Sequence, residues 1–172
     1  MNWNIDPAHT TASFKVRHLG LTTVRGTFSG ITGSAQTDDQ NHLHSLHVQI
    51  PTATVNTGNA DRDAHLRSAD FFDAAQFPNL EFTSTSITRS GDGYTIQGNL
   101  TIHGVTRPVT FQAEVNGPAT DPFSGTPKLG GEASLELSRK DYGLTWNVAV
   151  EAGGVLVSDK VTIHLEVEAV QA

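Results

Sequence analysis

The sequence predicts an all-β domain: eight antiparallel strands, closed into a barrel in preference to two sheets packed face to face, with one short helix. Three observations predict it. Eight stretches alternate apolar and polar residues with a period of two, as strands with one buried face do. Clusters of Gly, Pro, Asn and Asp separate most of them by short distances, so consecutive strands reverse direction. Only one segment, between residues 58 and 72, reads as helical.

In TASFKVRH, Ala12, Phe14, Val16 and His18 share one face, while Ser13, Lys15 and Arg17 share the other. TVRGTF sets Val24, Gly26 and Phe28 in phase, and LHVQI does so with Leu46, Val48 and Ile50. LEFTS aligns Leu80, Phe82 and Ser84, and YTIQGNLTI aligns Ile96, Gly98, Leu100 and Ile102. VTFQAEV contributes Val109, Phe111, Ala113 and Val115, and GEASLEL contributes Gly131, Ala133, Leu135 and Leu137. VTIHLEV closes the series with Val161, Ile163, Leu165 and Val167. The intervening SGITG, TDDQN, SGDG, HGVTRP and the longer NGPATDPFSGTP carry the residues that tight reversals need. Closure follows because no strand reads as the short, Pro-guarded edge that an open sheet requires.

The inward rows mix large residues with Gly or Ala. An eight-stranded barrel is either filled by side chains or wide enough to hold one small ligand, so this mixture predicts an apolar cavity. The glycines alone also fit a second explanation, the bending of coiled strands at barrel corners; the alanines do not. Candidate lining residues are Phe14, Val16, Phe28, Phe82, Ile96, Gly98, Leu100, Phe111, Ala113, Ala133, Leu135 and Ile163.

Composition excludes several functions. A chain of 172 residues is long enough for one well-buried core and one domain. Its 18 acidic against 11 basic residues, a net charge of -7, argue against a nucleic-acid partner, which needs clustered Lys and Arg. Without cysteine there is no disulfide, no thiolate nucleophile and no zinc ribbon. No stretch approaches the ~20 apolar residues of a transmembrane helix. The opening MNWNIDPAHTTASF has neither the basic nor the apolar region of a secretion signal, which predicts a cytoplasmic location, or a periplasmic one if a leader has been removed.

No G-x-S-x-G, H-E-x-x-H, P-loop or G-x-G-x-x-G is present, and no nucleophile, base and orienting group assemble, so neither a catalytic residue nor a cofactor is expected. His42, His44 and His47 in HLHSLH place two imidazoles on one side of a strand, and since a metal site usually needs a third ligand they are expected to be solvated rather than metal-bound. Arg139 and Asp141 in SRKDYGL are expected to tie down a turn, with Tyr142 and Trp146 covering a barrel end.

Several blocks, in order, resemble the YceI-like family. Trp3, Ile5, Asp6, His9 and Phe14 are similar to its opening W-x-I-D-x-x-H; R-D-x-H-L-x-S-x-D-F-F followed by F-P-x-x-x-F-x-S spans Arg62 to Ser84. G-x-L-T-I-x-G-x-T lies at Gly98 to Thr106, and R-x-D-Y-G-L at Arg139 to Leu144. The resemblance covers nearly the whole chain. It implies a lipocalin-like, elongated eight-stranded barrel whose apolar tunnel binds long-chain polyisoprenoids, such as polyprenyl pyrophosphates or isoprenoid quinones. Many members carry a secretion signal and work in the periplasm, whereas here the first block begins at Trp3.

Such a ligand needs an apolar tube and, at one end, donors for its head. Residues 62 to 77 offer both. Arg62, His65 and Arg67 can donate charge-assisted hydrogen bonds, while Leu66, Phe71, Phe72 and Phe77, with Trp146, can line or lid the mouth. The competing explanation is an ion-pair network around Arg62 and Asp63, with the phenylalanines plugging the barrel as ordinary core. Asn59 or Asp61 is placed to cap the helix, and Asp63 to meet its positive end. The expected function is lipid binding without turnover. An enzyme using the Asp and His residues near 61 to 70, or an interaction module with a filled core, are the alternatives. Pairing would hide an apolar mouth, which makes a homodimer a candidate assembly.

Overall fold

All eight predicted strands are present, and two more complete the wall. A computed structural model describes residues 1–149 and 155–172. The strands are β1 (Asn2–Ile5), β2 (Thr11–His18), β3 (Thr22–Phe28), β4 (Thr32–Thr37), β5 (Leu43–Pro51) and β6 (Asn79–Ser90). They continue with β7 (Gly93–Ile102), β8 (Val105–Thr120), β9 (Pro127–Ser138) and β10 (Val157–Gln171). Every pairing between them is antiparallel. Strands β4 to β10 are neighbours in chain order, and β1 bridges β4 to β10, which closes a ring of eight strands.

The predicted count of eight survives the addition of β1 and β4 because the first two staves of the barrel are each broken in the middle. β10 pairs with β2 along Val157 to Glu166 and with β1 along Ala169 to Gln171, so β1 and β2 occupy one position in the wall. The break is a 3-10 turn, Pro7–His9, whose start is capped by the Asp6 carboxylate accepting from the Ala8 N–H at 3.0 Å. β3 and β4 are separated at Ser29–Ile31, where Gly30 takes a φ of +66°, a conformation that favours glycine. Unlike β4, β3 has no second strand partner among the described residues; its other edge meets Asn56 through one bridge, Thr27↔Asn56.

The one α-helix among the described residues, α1 (Ala60–Arg67), is shorter than predicted. Residues 68 to 72 turn away instead of extending it, with the Ser68 hydroxyl bonded to the His65 carbonyl at 2.6 Å. Asn59 is the cap, accepting from the Arg62 N–H at 3.0 Å. The predicted loop at 116–127 is also largely strand: β8 runs on to Thr120, with a register shift between Asn116 and Ala119 that accommodates Pro118, a residue without a ladder donor.

One end of the barrel is filled and the other is hollow. At the filled end, called the base here, Trp3 (1% exposed), Ile5, Ala35, Leu43, Tyr94 and Ile96 pack together. Their polar atoms are satisfied internally: the Trp3 indole donates to the Thr37 hydroxyl at 2.9 Å, and the Leu43 N–H to the Tyr94 phenol at 3.2 Å. Towards the other end Phe14, Val16, Leu100, Phe111, Leu135 and Ile163 are in phase with the inward rows yet only half-buried. A side chain inside a closed wall stays accessible only if the space in front of it is open.

The small residues do not all create that space. Gly26 stands opposite Phe14 in register, and a Cβ there would overlap the Phe14 ring; a Cβ at Gly98 would overlap the Phe82 ring and the Thr83 carbonyl. These two glycines make room for aromatic rings of neighbouring strands and not for a ligand, which corrects the cavity explanation at these positions. Gly131 differs, since a Cβ there would meet only the Glu114 carbonyl, at 3.8 Å. Gly98→Ala should therefore lower the urea midpoint by a stability loss of roughly 1–3 kcal/mol, while Gly131→Ala should hold or slightly raise it. Equal losses in the two variants would show that Gly131 faces no open space.

Candidate ligand tunnel

Within the hollow half lies a cavity of about 320 Å³, inside the roughly 300–1,000 Å³ range of ligand sites. Its wall is built by successive inward positions. On β10, Val161, Ile163 and Leu165 descend from the mouth, and Leu137, Leu135 and Ala133 stand beside them on β9 in register. Val16 and Phe14 continue the same levels on β2.

Most sequence-predicted lining residues take part. Phe14, Val16, Phe28, Phe82, Leu100, Phe111, Ala133, Leu135 and Ile163 face the cavity. Three do not. Gly98 lies beneath the Phe82 ring, while Ile96 and Ala113 sit lower, around a separate chamber of about 60 Å³. The selection also passed over Leu46, Val48 and Val109, which belong to the predicted inward rows and line the cavity.

Two chain segments cover the open end. The first, from Thr52 to Pro78, leaves the end of β5 and returns to the start of β6, where Pro51 and Asn79 are paired. It carries α1 and places Arg62, His65, Leu66, Phe71 and Phe72 on the cavity. Asp63 is buried and locks this segment: its carboxylate accepts from the Thr57 hydroxyl at 2.6 Å and from the Thr57 N–H at 2.8 Å. Those bonds, the hydroxyl's foremost, hold its pKa below the ordinary aspartate value. Arg62 joins the same anchor, donating Nε to the Thr57 hydroxyl at 2.7 Å and Nη2 to the Thr57 carbonyl at 3.0 Å. The predicted Arg62–Asp63 ion pair is replaced by a shared residue, Thr57.

The second cover follows β9. Arg139, 4% exposed, donates Nε to the Ser158 carbonyl at 2.9 Å, Nη1 to the carbonyls of Leu144 and Trp146 at 2.8 and 2.9 Å, and Nη2 to that of Val157 at 3.2 Å. It does more than the expected tie of one turn, because four carbonyls from two chain segments converge on one planar fork. Trp146 is thereby held against the first cover, its ring 4.7 Å from His65 and 5.3 Å from Phe71. No sequence signal beyond the SRKDYGL block marked Arg139 as this hub.

Two mouth candidates lie elsewhere. Phe77 packs edge-on against His103 with ring centroids 5.0 Å apart, over Gly104, and Arg67 does not reach the cavity. His65 does reach it, but its Nε2 donates to the Asp70 carboxylate at 2.9 Å, so it is less free to meet a ligand than expected. Arg17 and His18 at the end of β2 also line the rim, although Arg17 was expected to face only solvent. Among the described residues no arginine is ion-paired and no carboxylate lines the cavity.

The histidine-rich stretch lies on the wall away from the cavity, with His42 bonded to Asp38 and Arg89, and His47 to Glu81. Two other groups bring metal-capable side chains together. Asp6, His9 and Glu168 meet at the break between β1 and β2, where Lys128 already bonds Glu168 at 2.7 Å; Glu132, His164 and Glu166 lie on β9 and β10. Neither lines the main cavity.

Two measurements probe the covers. Arg139→Ala leaves buried carbonyls without a donor, at about 1–3 kcal/mol each for those that water cannot reach, so the urea midpoint should fall by a loss of at least about 2 kcal/mol. An unchanged midpoint would show that the carbonyls are solvated. Asp63 is stabilising in its charged form: because its folded pKa is depressed, its contribution is complete above about pH 4 and lost as pH falls through the folded value. Asp63→Asn should accordingly be less stable than the parent at pH 7, with the gap narrowing towards pH 2 in parallel melts.

Comparison with known proteins agrees with this geometry. The YceI-like domain model matches residues 3–169. Protein YceI of Salmonella arizonae is 38% identical over 164 residues, covering 95% of this chain and 82% of that protein. The Campylobacter jejuni YCEI protein superposes with a TM-score of 0.75 at 29% identity, over 91% of this chain and 90% of that one. A polyisoprenoid binding domain from Saccharophagus degradans shares the fold, with a TM-score of 0.71 at 16% identity over 99% and 98% of the two chains. A closed eight-stranded barrel with a hollow upper half, matched along almost its full length, places this chain in the YceI-like family.

Proposed function

We propose that the protein is a carrier for one long-chain polyisoprenoid, with the prenyl tail in the barrel and an anionic or carbonyl-bearing head at the rim. The observation that carries this reading is the sorting of the cavity lining. The walls are Val, Leu, Ile, Phe and Ala, while Arg17, His18, Arg62, His65 and Arg139 are gathered where the two covers meet the barrel. An amphiphile with one negative end fits that arrangement in one direction only. Each isoprene unit withdrawn from water contributes roughly 3 kcal/mol gross, at about 0.8 kcal/mol per methylene equivalent, so the tail dominates affinity and the head sets orientation. The family resemblance supports prenyl chains as the lipid class, and the Saccharophagus degradans neighbour is itself described as a polyisoprenoid binding domain.

Carriage is favoured over turnover by the same lining. His65 is bonded to Asp70, and Arg139 commits four of its five N–H donors to carbonyls. Arg62 keeps Nη1 without a protein partner among the described residues, which leaves it as the donor for a head group.

Mass spectrometry of organic extracts from the purified protein tests the reading: a prenyl lipid recovered chemically unchanged after incubation supports it. Absence of any co-purifying lipid, together with no binding of added polyprenyl pyrophosphate or quinone, would overturn it, and a converted ligand would favour an enzyme. Arg62→Ala should weaken a polyprenyl pyrophosphate about ten- to a hundredfold, as expected for one lost charge-assisted bond, and a matched polyprenol much less. Equal losses for both ligands would assign Arg62 to anchoring Thr57 alone.

A further inference from the structure

The small chamber below the main cavity is not accounted for by a filled base. It measures about 60 Å³, and at the ~10–15 Å³ needed for one water-sized sphere it has room on the order of one isoprene unit. It is apolar where it faces the barrel axis. Gly131 and Ala113 are the small residues that open it: β9 and β8 present Ala133 opposite Ala113 and Gly131 opposite Val115, so two adjacent levels lack bulk. Open space in front of Gly131 is independently marked by the absence of any atom nearer than 3.8 Å to a Cβ built there.

Four residues, Leu46, Phe111, Ala133 and Leu165, line both the chamber and the main cavity. They form the partition between them. Ala133 carries only a methyl group, the Leu46 main chain is fixed by its N–H bond to the Ser84 hydroxyl at 2.9 Å, and the side chains of Leu46 and Leu165 are each smaller than a phenyl ring. Phe111 is the large planar element. It is half-buried, it contacts Phe82 with ring centroids 5.3 Å apart, and it has cavity on both sides. A ring with open space above and below turns on its χ angles without displacing packed neighbours.

We propose that the small chamber is the distal end of the ligand tunnel and that Phe111 is the swinging partition that sets the longest prenyl tail the protein accepts. This rests on the carrier reading. A tail that ends above Phe111 leaves the ring across the tunnel. One more unit pushes it aside and fills the space in front of Gly131, and anything longer meets the packed base at Ile96 and Leu129. The chamber is thus a length limit, with a soft step at Phe111 and a hard stop below it.

The test measures affinity for a series of prenols of increasing length by displacement of a fluorescent prenyl probe, using the parent, Gly131→Val and Phe111→Leu. Gly131→Val fills the chamber with a strand-compatible side chain. It should leave short prenols unaffected and weaken the longest accepted prenol at least tenfold, moving the limit down by about one isoprene unit. Phe111→Leu should remove the step, strengthening prenols just beyond it relative to shorter ones. Leu46→Ala, which opens the partition from the other side, should act in the same direction as Phe111→Leu and guards against a ring substitution that merely loosens the wall. A parent that binds prenols but whose length profile is unchanged in all three variants overturns this inference alone. A parent that binds no prenol of any length overturns the carrier reading and this one with it.

Discussion

Everything in this fold depends on the ring being closed at one end only by side chains large enough to fill it. β1 seals the ladder between β4 and β10 through the pairs Trp3↔Gln171, Asn4↔Val170 and Ile5↔Ala169. Eight strands fix a width that side chains can either fill or leave open. Trp3, Tyr94 and Ile96 fill it at the base; higher up, the inward rows mix phenylalanines with aliphatic and small residues and leave space along the axis. The same closure therefore produces a rigid plug and a tunnel, and the boundary between them is the level at which Gly131 and Ala113 face each other's strands.

The tunnel was legible where the alternation is strong and hidden where the chemistry is not apolar. β2, β5 and β7 to β10 announce themselves because each carries three or four apolar residues in phase, and β6 does so with two, Leu80 and Phe82. β4 does not: in TGSAQT only Ala35 is apolar, and the other inward position is Thr37, whose hydroxyl is used by the Trp3 indole. β1 is four residues long, too short for a period to show. Ile96, Gly98 and Ala113 were assigned to the tunnel because phase says which face a residue occupies but not its height along the axis, and height separates plug from cavity. Gly26 and Gly98 add a second limit, since a glycine that makes room for a ligand and one that makes room for a ring on the next strand look alike in sequence.

Charge is sorted by the same pleat. The chain carries a net charge of -7, yet the glutamates of the long strands lie outward: Glu114, Glu132 and Glu166 are in register across β8, β9 and β10 on the exposed face. Like charges directly opposite one another are unfavourable, a cost that full solvation of the outer wall keeps small. The cationic groups at the rim face no such row. Their hydrogen bonds go instead to carbonyls and hydroxyls, from Arg17 to Gly20 and Thr23, from Arg62 to Thr57, and from Arg139 to four carbonyls. Neutral acceptors position a guanidinium without cancelling its charge, and what offsets it comes from carboxylates that are near but not bonded to it, Asp63 beside Arg62 and Asp159 beside Arg139.

How the mouth is closed differs in kind from how the barrel is closed. Ladders of backbone hydrogen bonds hold the ring, whereas the two covers meet through rings: His65 on Trp146, Phe71 on Trp146, and His65 on Phe71 at 5.0 Å. Contacts of this sort are worth about 0.5–1.5 kcal/mol each beyond area burial, little beside a strand ladder. The wall beside them joins the first cover at separate points: the Thr27↔Asn56 bridge of β3, the Ser29 N–H donating to the Thr54 hydroxyl at 3.1 Å, and Phe72 edge-on to Phe28 at 5.7 Å. Each cover is nonetheless firm within itself, one around Asp63 and Thr57, the other around Arg139. Separation along the aromatic seam thus costs far less than unfolding either cover, and the part of the molecule that opens with least effort is the part that stands over the hollow half of the barrel.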